Sequence, residues 1–231
     1  MLVKQKMEID IVATYVLVHG GNMSTKTWND LTVGKTIYTE NGLLGGKIWD
    51  STVAALTAHN HRAFAPTLKD EHVSHLTDHI YQIRTLIVKN DLKDVILVGH
   101  SYGGMVITGV AAKMAQRIHR LVYLDAALPD PGQSLFDIIK SSGCDPMSFS
   151  GLELAAPYVE KLQFDAEKLR SLPKTYILCT KSEFGCVTRV AREKIAVDGK
   201  GWTYIEIPSS HVPMADMPAE FDQLMLDMAE K

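Results

Sequence analysis

The run Val95-Ile-Leu-Val-Gly-His-Ser-Tyr-Gly-Gly104 constrains this chain more than any other stretch. Val95 to Val98 are apolar and mostly β-branched and read as a buried strand, whereas Met105 to Gln116 read as a helix. Between them Gly99-His100-Ser101-Tyr102-Gly103 fits the G-x-S-x-G nucleophile elbow, whose required context is a strand before and a helix after. The turn is too sharp for side chains at its flanks, which accounts for glycine at 99 and 103 and implies a strained backbone at Ser101. Ser101 is the candidate nucleophile. The amide of Tyr102, at a helix N-terminus where negative charge is favoured, is a candidate oxyanion donor.

Length and charge bound the rest. A chain of 231 residues suits one globular domain, or one domain with a small insertion. The formal charge of -3 leaves no basic footprint for nucleic acid and no cationic cluster for a membrane surface. Ile9 to Val18 is interrupted by Asp10 and Thr14 and ends in His-Gly-Gly, so it reads neither as a signal peptide core nor as a membrane span. Cys144, Cys179 and Cys186 are odd in number and lack C-x-x-C spacing, so reduced thiols and a cytoplasmic location are expected. Oligomeric state is not legible here; a homodimer is compatible with the chain.

Taken in order, Met7 to Val18 gives one or two strands, with Tyr15 to Val18 the buried one. It runs into His19-Gly20-Gly21-Asn22, where glycines let backbone N–H groups approach a substrate. The Gly21 amide is the expected second oxyanion donor, with Asn22 the fallback. Asn22 to Gly46 reads as a long loop overhanging the site. Lys47 to His59 reads as a helix and Arg62 to Ala65 as a short strand. A second helix is expected from about Leu76 to Asn90, capped by Ser74 or Thr77, with Ile80, Ile83, Leu86 and Ile87 on its apolar face. His72, His75 and His79 are spaced like metal ligands but lack the H-E-x-x-H pattern, so a solvated helix start is the expectation and no metal is called for.

His119 to Leu124 reads as a buried strand ending at Asp125, where a catalytic carboxylate at the carboxyl end of a sheet strand belongs. Pro131 to Leu172 is broken by glycines and prolines and reads as a cap inserted at about residues 130–172, with Phe136, Met147, Phe149, Tyr158 and Phe164 lining a pocket or packing. Lys174 to Cys179 and Trp202 to Ile207 are strands, Val187 to Ala196 is a helix, and a last helix starts at Pro218. His211 lies in the loop after the final strand, which completes the chain order Ser, acid, His.

These residues resemble the α/β-hydrolase superfamily and, more narrowly, small cofactor-free esterases related to plant methyl-esterases and hydroxynitrile lyases. The likeness rests on Leu17-Val-His-Gly-Gly21, Val95 to Gly104, Leu121-Val-Tyr-Leu-Asp-Ala126 and Ser210-His211. It implies an α/β fold with a mostly parallel sheet flanked by helices, a triad of Ser101, His211 and an acid, a small-molecule substrate and no cofactor. The plant enzymes carry a shorter segment after His-Gly and place their acid after the next-to-last strand, where this chain offers only Glu183. Some bacterial relatives place it where Asp125 stands, so Asp125 is preferred over Glu183. The expected chemistry is ester hydrolysis. The alternatives are a hydroxynitrile-lyase-like reaction, for which Lys181 is a loose candidate cyanide acceptor, and a small-ligand receptor on the same scaffold.

Overall fold

Near-continuous apolar strands are the mark of a parallel sheet buried on both faces, and the sheet here has that form. The computed structural model describes residues 12–21, 24–31, 36–149, 152–199 and 201–229. Six strands, β1 (Thr14–Val18), β2 (Arg62–Phe64), β3 (Val95–His100), β4 (Ile118–Leu124), β5 (Lys174–Cys179) and β6 (Trp202–Ile207), pair in the order β2-β1-β3-β4-β5-β6, each pair parallel. The helices are α1 (Thr25–Leu31), α2 (Asp50–Ala58), α3 (Leu76–Lys89), α4 (Gly103–Met114), α5 (Leu135–Ser141), α6 (Ala156–Val159), α7 (Glu167–Arg170), α8 (Gly185–Asp198), α9 (Pro213–Asp216) and α10 (Pro218–Asp227).

Alternate residues of each strand enter two different cores, as the period of two requires. Val16, Val18, Leu97, Leu121 and Tyr123 pack with α3, α4 and α8, whereas Tyr15, Leu17, Val98, Val122 and Leu124 pack with α2, α9 and α10. Helix α4 is apolar all round and is buried accordingly, while α3 buries Ile80, Ile83 and Ile87 and exposes the opposite face. Strand order reverses between β1 and β3, which opens a crevice at their carboxyl ends. His19, Ser101 and Asp125 all follow strands at that edge.

Several expectations change. The stretch from Asn22 to Gly46 is not loop throughout, because α1 forms within it and Ser24 bridges Leu43. The N-cap of α3 is His75, whose amide donates to the Asp78 carboxylate at 3.0 Å; Ser74 instead donates to the Asp70 carbonyl and Thr77 already lies inside the helix. Cys144 and Cys186 are joined in a disulfide, which corrects the expectation of three reduced thiols; only Cys179 is free. The pair is made by α5 packing on α8, a tertiary contact with no local spacing signal. The strand expected at the start, before Val12, and the fallback donor Asn22 lie outside the described residues. No helix among the described residues is long and apolar enough to cross a membrane.

Candidate active site

The elbow is built by steric necessity. Ser101 has a φ of +55°, in the left-handed region that costs a non-glycine residue on the order of 1 kcal/mol or more. A Cβ at Gly99 would lie 2.6 Å from the Gly103 carbonyl oxygen, and one at Gly103 would lie 2.7 Å from that of Val18. The strained turn is held by its neighbour strand: the Ser101 amide donates to the Leu124 carbonyl at 3.2 Å, and the Ala127 amide donates to the Ser101 carbonyl at 3.1 Å. The serine turn and the aspartate turn are thus one hydrogen-bonded unit.

Asp125 is fully buried and, like Ser101, has a positive φ, +44°. Its Oδ2 accepts a hydrogen bond from Nδ1 of His211 at 2.7 Å, and its Oδ1 accepts from the Cys179 amide at 3.0 Å. Ser182 also donates to Oδ2 and in turn accepts the Phe184 amide at 3.0 Å. With Nδ1 committed to the carboxylate, Nε2 is the nitrogen of His211 left to exchange a proton. The ring lies between Phe184, centroids 5.0 Å apart, and His100, centroids 4.5 Å apart. His100 donates from Nε2 to the His211 carbonyl at 2.7 Å, which ties the loop after β6 to the residue preceding Ser101. Burial, aided by the neighbouring His211, holds the His100 pKa well below the usual histidine value, so this strut stays neutral. Asp216 completes the loop by accepting from the Ser209 hydroxyl at 2.7 Å and the Ser210 amide at 2.8 Å.

No hydrogen bond joins Ser101 to His211 among the described residues; the two are neighbours through His100. Glu183, the alternative acid, is exposed, the carboxylate that pairs with His211 is that of Asp125, and Lys181 is exposed as well.

On the other side, the turn after β1 presses against Ser101, since a Cβ at Gly20 would lie 2.9 Å from Cβ of Ser101. His19 shapes that turn. Its Nε2 accepts the Leu68 amide at 2.9 Å, so Nδ1 carries the proton and donates to the Gly20 carbonyl at 2.7 Å. Burial lowers its pKa to about 4. Among the described residues, the Gly21 and Tyr102 amides donate to no other group. The Tyr102 side chain is buried and its hydroxyl meets Nδ1 of His79 at 2.9 Å. His79 therefore corrects the expectation of a solvated helix start: its Nε2 donates to the Lys69 carbonyl at 3.0 Å, and burial lowers its pKa. No group of three or more His, Cys, Asp and Glu side chains among the described residues is placed to hold a metal ion. Ser182 and Glu71 escaped the sequence reading because neither belongs to a motif, and the partners of His100, His79 and Tyr158 escaped it because each is acquired only through the fold.

The chain belongs to the Alpha/beta hydrolase family, whose pattern it matches over residues 15–158. Among proteins of known activity it is similar to a carbendazim hydrolyzing esterase of Nocardioides sp. (strain SG-4G), 40% identical over 137 residues, which is 55% of this chain and 48% of that protein. The similarity thus spans about half the relative's length. Among solved structures it resembles an extracellular alpha/beta-hydrolase from a Paenibacillus species, described as homologous in structure and function to tobacco salicylic acid binding protein 2 (TM-score 0.68, 23% identity, 93% of this chain and 98% of the other). Polyneuridine aldehyde esterase (TM-score 0.69, 18% identity, 94% and 99% covered) shares the fold, as does a pyrethroid hydrolase from Sphingobium faniae JZ-2 (TM-score 0.68, 18% identity, 95% and 98% covered).

Proposed function

We propose that the chain is a serine hydrolase that cleaves a small-molecule carboxylic ester, lactone or thioester through an acyl-enzyme. His211 Nε2 takes the Ser101 proton, the serine oxygen attacks the carbonyl carbon, and the oxyanion is received by the amides of Gly21 and Tyr102. Protonated His211 then gives its proton to the leaving group. Water, deprotonated by the same nitrogen, releases the acyl group and restores Ser101. Asp125 keeps the proton of His211 on Nδ1 and stabilises the imidazolium. No step calls for a metal or an organic cofactor, and segment 130–172 acts as the cap.

The observation that carries this reading is the buried Asp125–His211 pair at 2.7 Å, set on a turn whose main chain is hydrogen-bonded to the Ser101 elbow. The esterase named among the relatives supports the reaction class. The expected substrate is a small uncharged ester, and the chain acts on neither nucleic acid nor membranes. The test is hydrolysis of 4-nitrophenyl acetate by wild type and Ser101→Ala, with pre-steady-state detection of the acyl-enzyme burst. A burst and turnover in wild type, both reduced by about 10⁴-fold or more in the variant, are expected. Equal turnover in the two proteins would reject the assignment.

A further inference from the structure

Two histidines stand side by side behind the elbow, and only His211 belongs to the order Ser, acid, His. The other, His100, is fully buried. Its ring lies against that of His211, centroids 4.5 Å apart, and crosses that of Trp49 at 89°, 6.3 Å away; Trp49 is itself packed on Phe221 of α10. A carbonyl oxygen only accepts, so the 2.7 Å contact with the His211 carbonyl places the ring proton of His100 on Nε2 and leaves Nδ1 a bare acceptor. Nδ1 is buried and has no hydrogen-bond partner among the described residues, and Gly20 closes over it, since a Cβ there would lie 3.2 Å from Nδ1. A second ring proton would find no acceptor, so the geometry holds His100 uncharged and in one tautomer.

A buried acceptor without a partner is unfavourable and calls for an explanation. An apolar side chain of similar bulk would remove that cost, but it could not donate to the His211 carbonyl. The imidazole adds a rigid link: His100 is joined through the chain to Ser101, and its Nε2 to the main chain of the residue that moves the proton in the proposed mechanism. Asp125 holds the His211 ring at Nδ1 and Phe184 lies against it at 5.0 Å; His100 is the side chain that holds the His211 carbonyl. Its lack of charge matters as well. His211 becomes a cation when it takes the serine proton, and a neutral ring at 4.5 Å spares it the repulsion that a second cation would bring.

We propose that His100 is a positioning residue that acts through His211: its neutral Nε2–H tautomer sets the reach of the His211 imidazole toward Ser101 and keeps an uncharged ring beside it when it is protonated. The catalytic part of this proposal rests on the esterase reading above. The placement of the two rings does not, and the two parts are tested separately.

The catalytic part is read from kcat and KM for 4-nitrophenyl acetate in wild type, His100→Phe and His100→Gln, each accompanied by a thermal melt. Phe keeps a flat ring but loses the donor, whereas Gln keeps an N–H near the place of Nε2. His100→Phe is expected to lose about 10²-fold in kcat, the scale of a misplacement of about 1 Å, with KM within about threefold, and His100→Gln to recover at least about tenfold of that loss. The placement is read without turnover, from the spectra of protein labelled with 15N-histidine. In wild type between pH 6 and 8, His100 should carry its proton on Nε2 and none on Nδ1. The low-field Nδ1–H resonance of His211, assigned by its absence from His211→Gln, should be displaced or broadened in His100→Phe and return to its wild-type position in His100→Gln. A folded His100→Phe with kcat within about twofold of wild type, a folded His100→Gln with no recovery, or an Nδ1-protonated His100 in wild type overturns the proposal and leaves the esterase reading standing. Turnover indifferent to Ser101→Ala removes the esterase reading; a His211 resonance that moves in His100→Phe and returns in His100→Gln then upholds the placement of His211 by His100, and one that stays fixed in both overturns it. The wild-type tautomer is read without any substitution, so a variant that fails to fold does not shield the proposal.

Discussion

Ser182 donates its hydroxyl proton to Oδ2 of Asp125, the same oxygen that accepts Nδ1 of His211, and its Oγ lies 3.4 Å from that nitrogen. The residue stands in the loop after β5, where plant relatives carry the acid itself, so a hydroxyl here braces a carboxylate that arrives from β4. On the proposed mechanism Ser182 is a positioning residue. Ser182→Ala should lower kcat/KM by about tenfold and move the acidic limb of the pH–rate profile, because the carboxylate loses one of the hydrogen bonds that orient it. Ser182→Thr, which restores the hydroxyl, should recover most of the loss. A profile that keeps its shape in Ser182→Ala would reduce the serine to loop packing.

The acid itself is tested by a pair of variants. Asp125→Asn preserves volume but lets the imidazole adopt the wrong tautomer, and should cost on the order of 10⁴ in kcat. Glu183→Gln should stay within about twofold, since Glu183 is exposed and His211 is paired with Asp125. Parallel esterase assays decide between them, and comparable losses would remove Asp125 from its role.

Gly21→Ala probes the oxyanion turn. The new methyl would lie 2.5 Å from the Tyr158 hydroxyl and 2.9 Å from its Cζ, and Tyr158 is locked by Tyr102 and Phe136. The turn must shift, and on the proposed mechanism the loss of the Gly21 amide as oxyanion donor costs about 10²–10³ in kcat with KM little changed. The melting temperature should fall by only a few degrees. Unaltered kcat would exclude the Gly21 amide as a donor.

The centre of the sheet was legible because β1, β3 and β4 announce themselves by apolar, largely β-branched runs, and the elbow because its glycines have a steric reason that any sequence must obey. Ser101, Asp125 and His211 could be picked out because all three follow strands, and in a parallel sheet the carboxyl ends lie along one edge. What supports them was not legible. Ser182 meets Asp125 across 57 residues, and His100 meets the His211 carbonyl across 111, so neither contact leaves a spacing in the sequence. His79 read as solvated because it sits among His72, His75 and other polar residues, yet the helix phase turns it inward onto Tyr102. The disulfide was missed because counting three cysteines says nothing of which two α5 and α8 bring together.

That disulfide closes a loop of 42 residues between the segment after β4 and the first turn of α8, just beyond Ser182 and Phe184. By chain entropy such a closure is worth up to about 4 kcal/mol. Thiol titration of the unfolded, unreduced protein should find one thiol per chain, that of Cys179. Dithiothreitol should expose all three cysteines and lower the melting temperature, and activity should fall with it because the loop carrying Ser182 and Phe184 loses its tether. Three thiols titrating without reductant would return the chain to the reduced, cytoplasmic reading.

Stability should decline on mild acidification. His19, His79 and His100 are buried and neutral, and burial holds each pKa below the histidine value of 6.5, for His19 down to about 4. The unfolded chain takes up protons at these positions as pH falls through 6.5, whereas the folded chain does so only at lower pH. Unfolding therefore consumes protons in that window, and stability that is complete above pH 6.5 is lost as pH drops toward 4. For His19 alone the full loss is about 3 kcal/mol. Melting curves from pH 7.5 to 4.5 should show a continuous fall in Tm, with net proton uptake on unfolding at pH 5 in calorimetry repeated in buffers of different ionisation enthalpy. A Tm that holds level between pH 7 and 5 would mean that these imidazoles are protonated in the folded state, and with them the neutral struts under Gly20, Tyr102 and His211 would be lost.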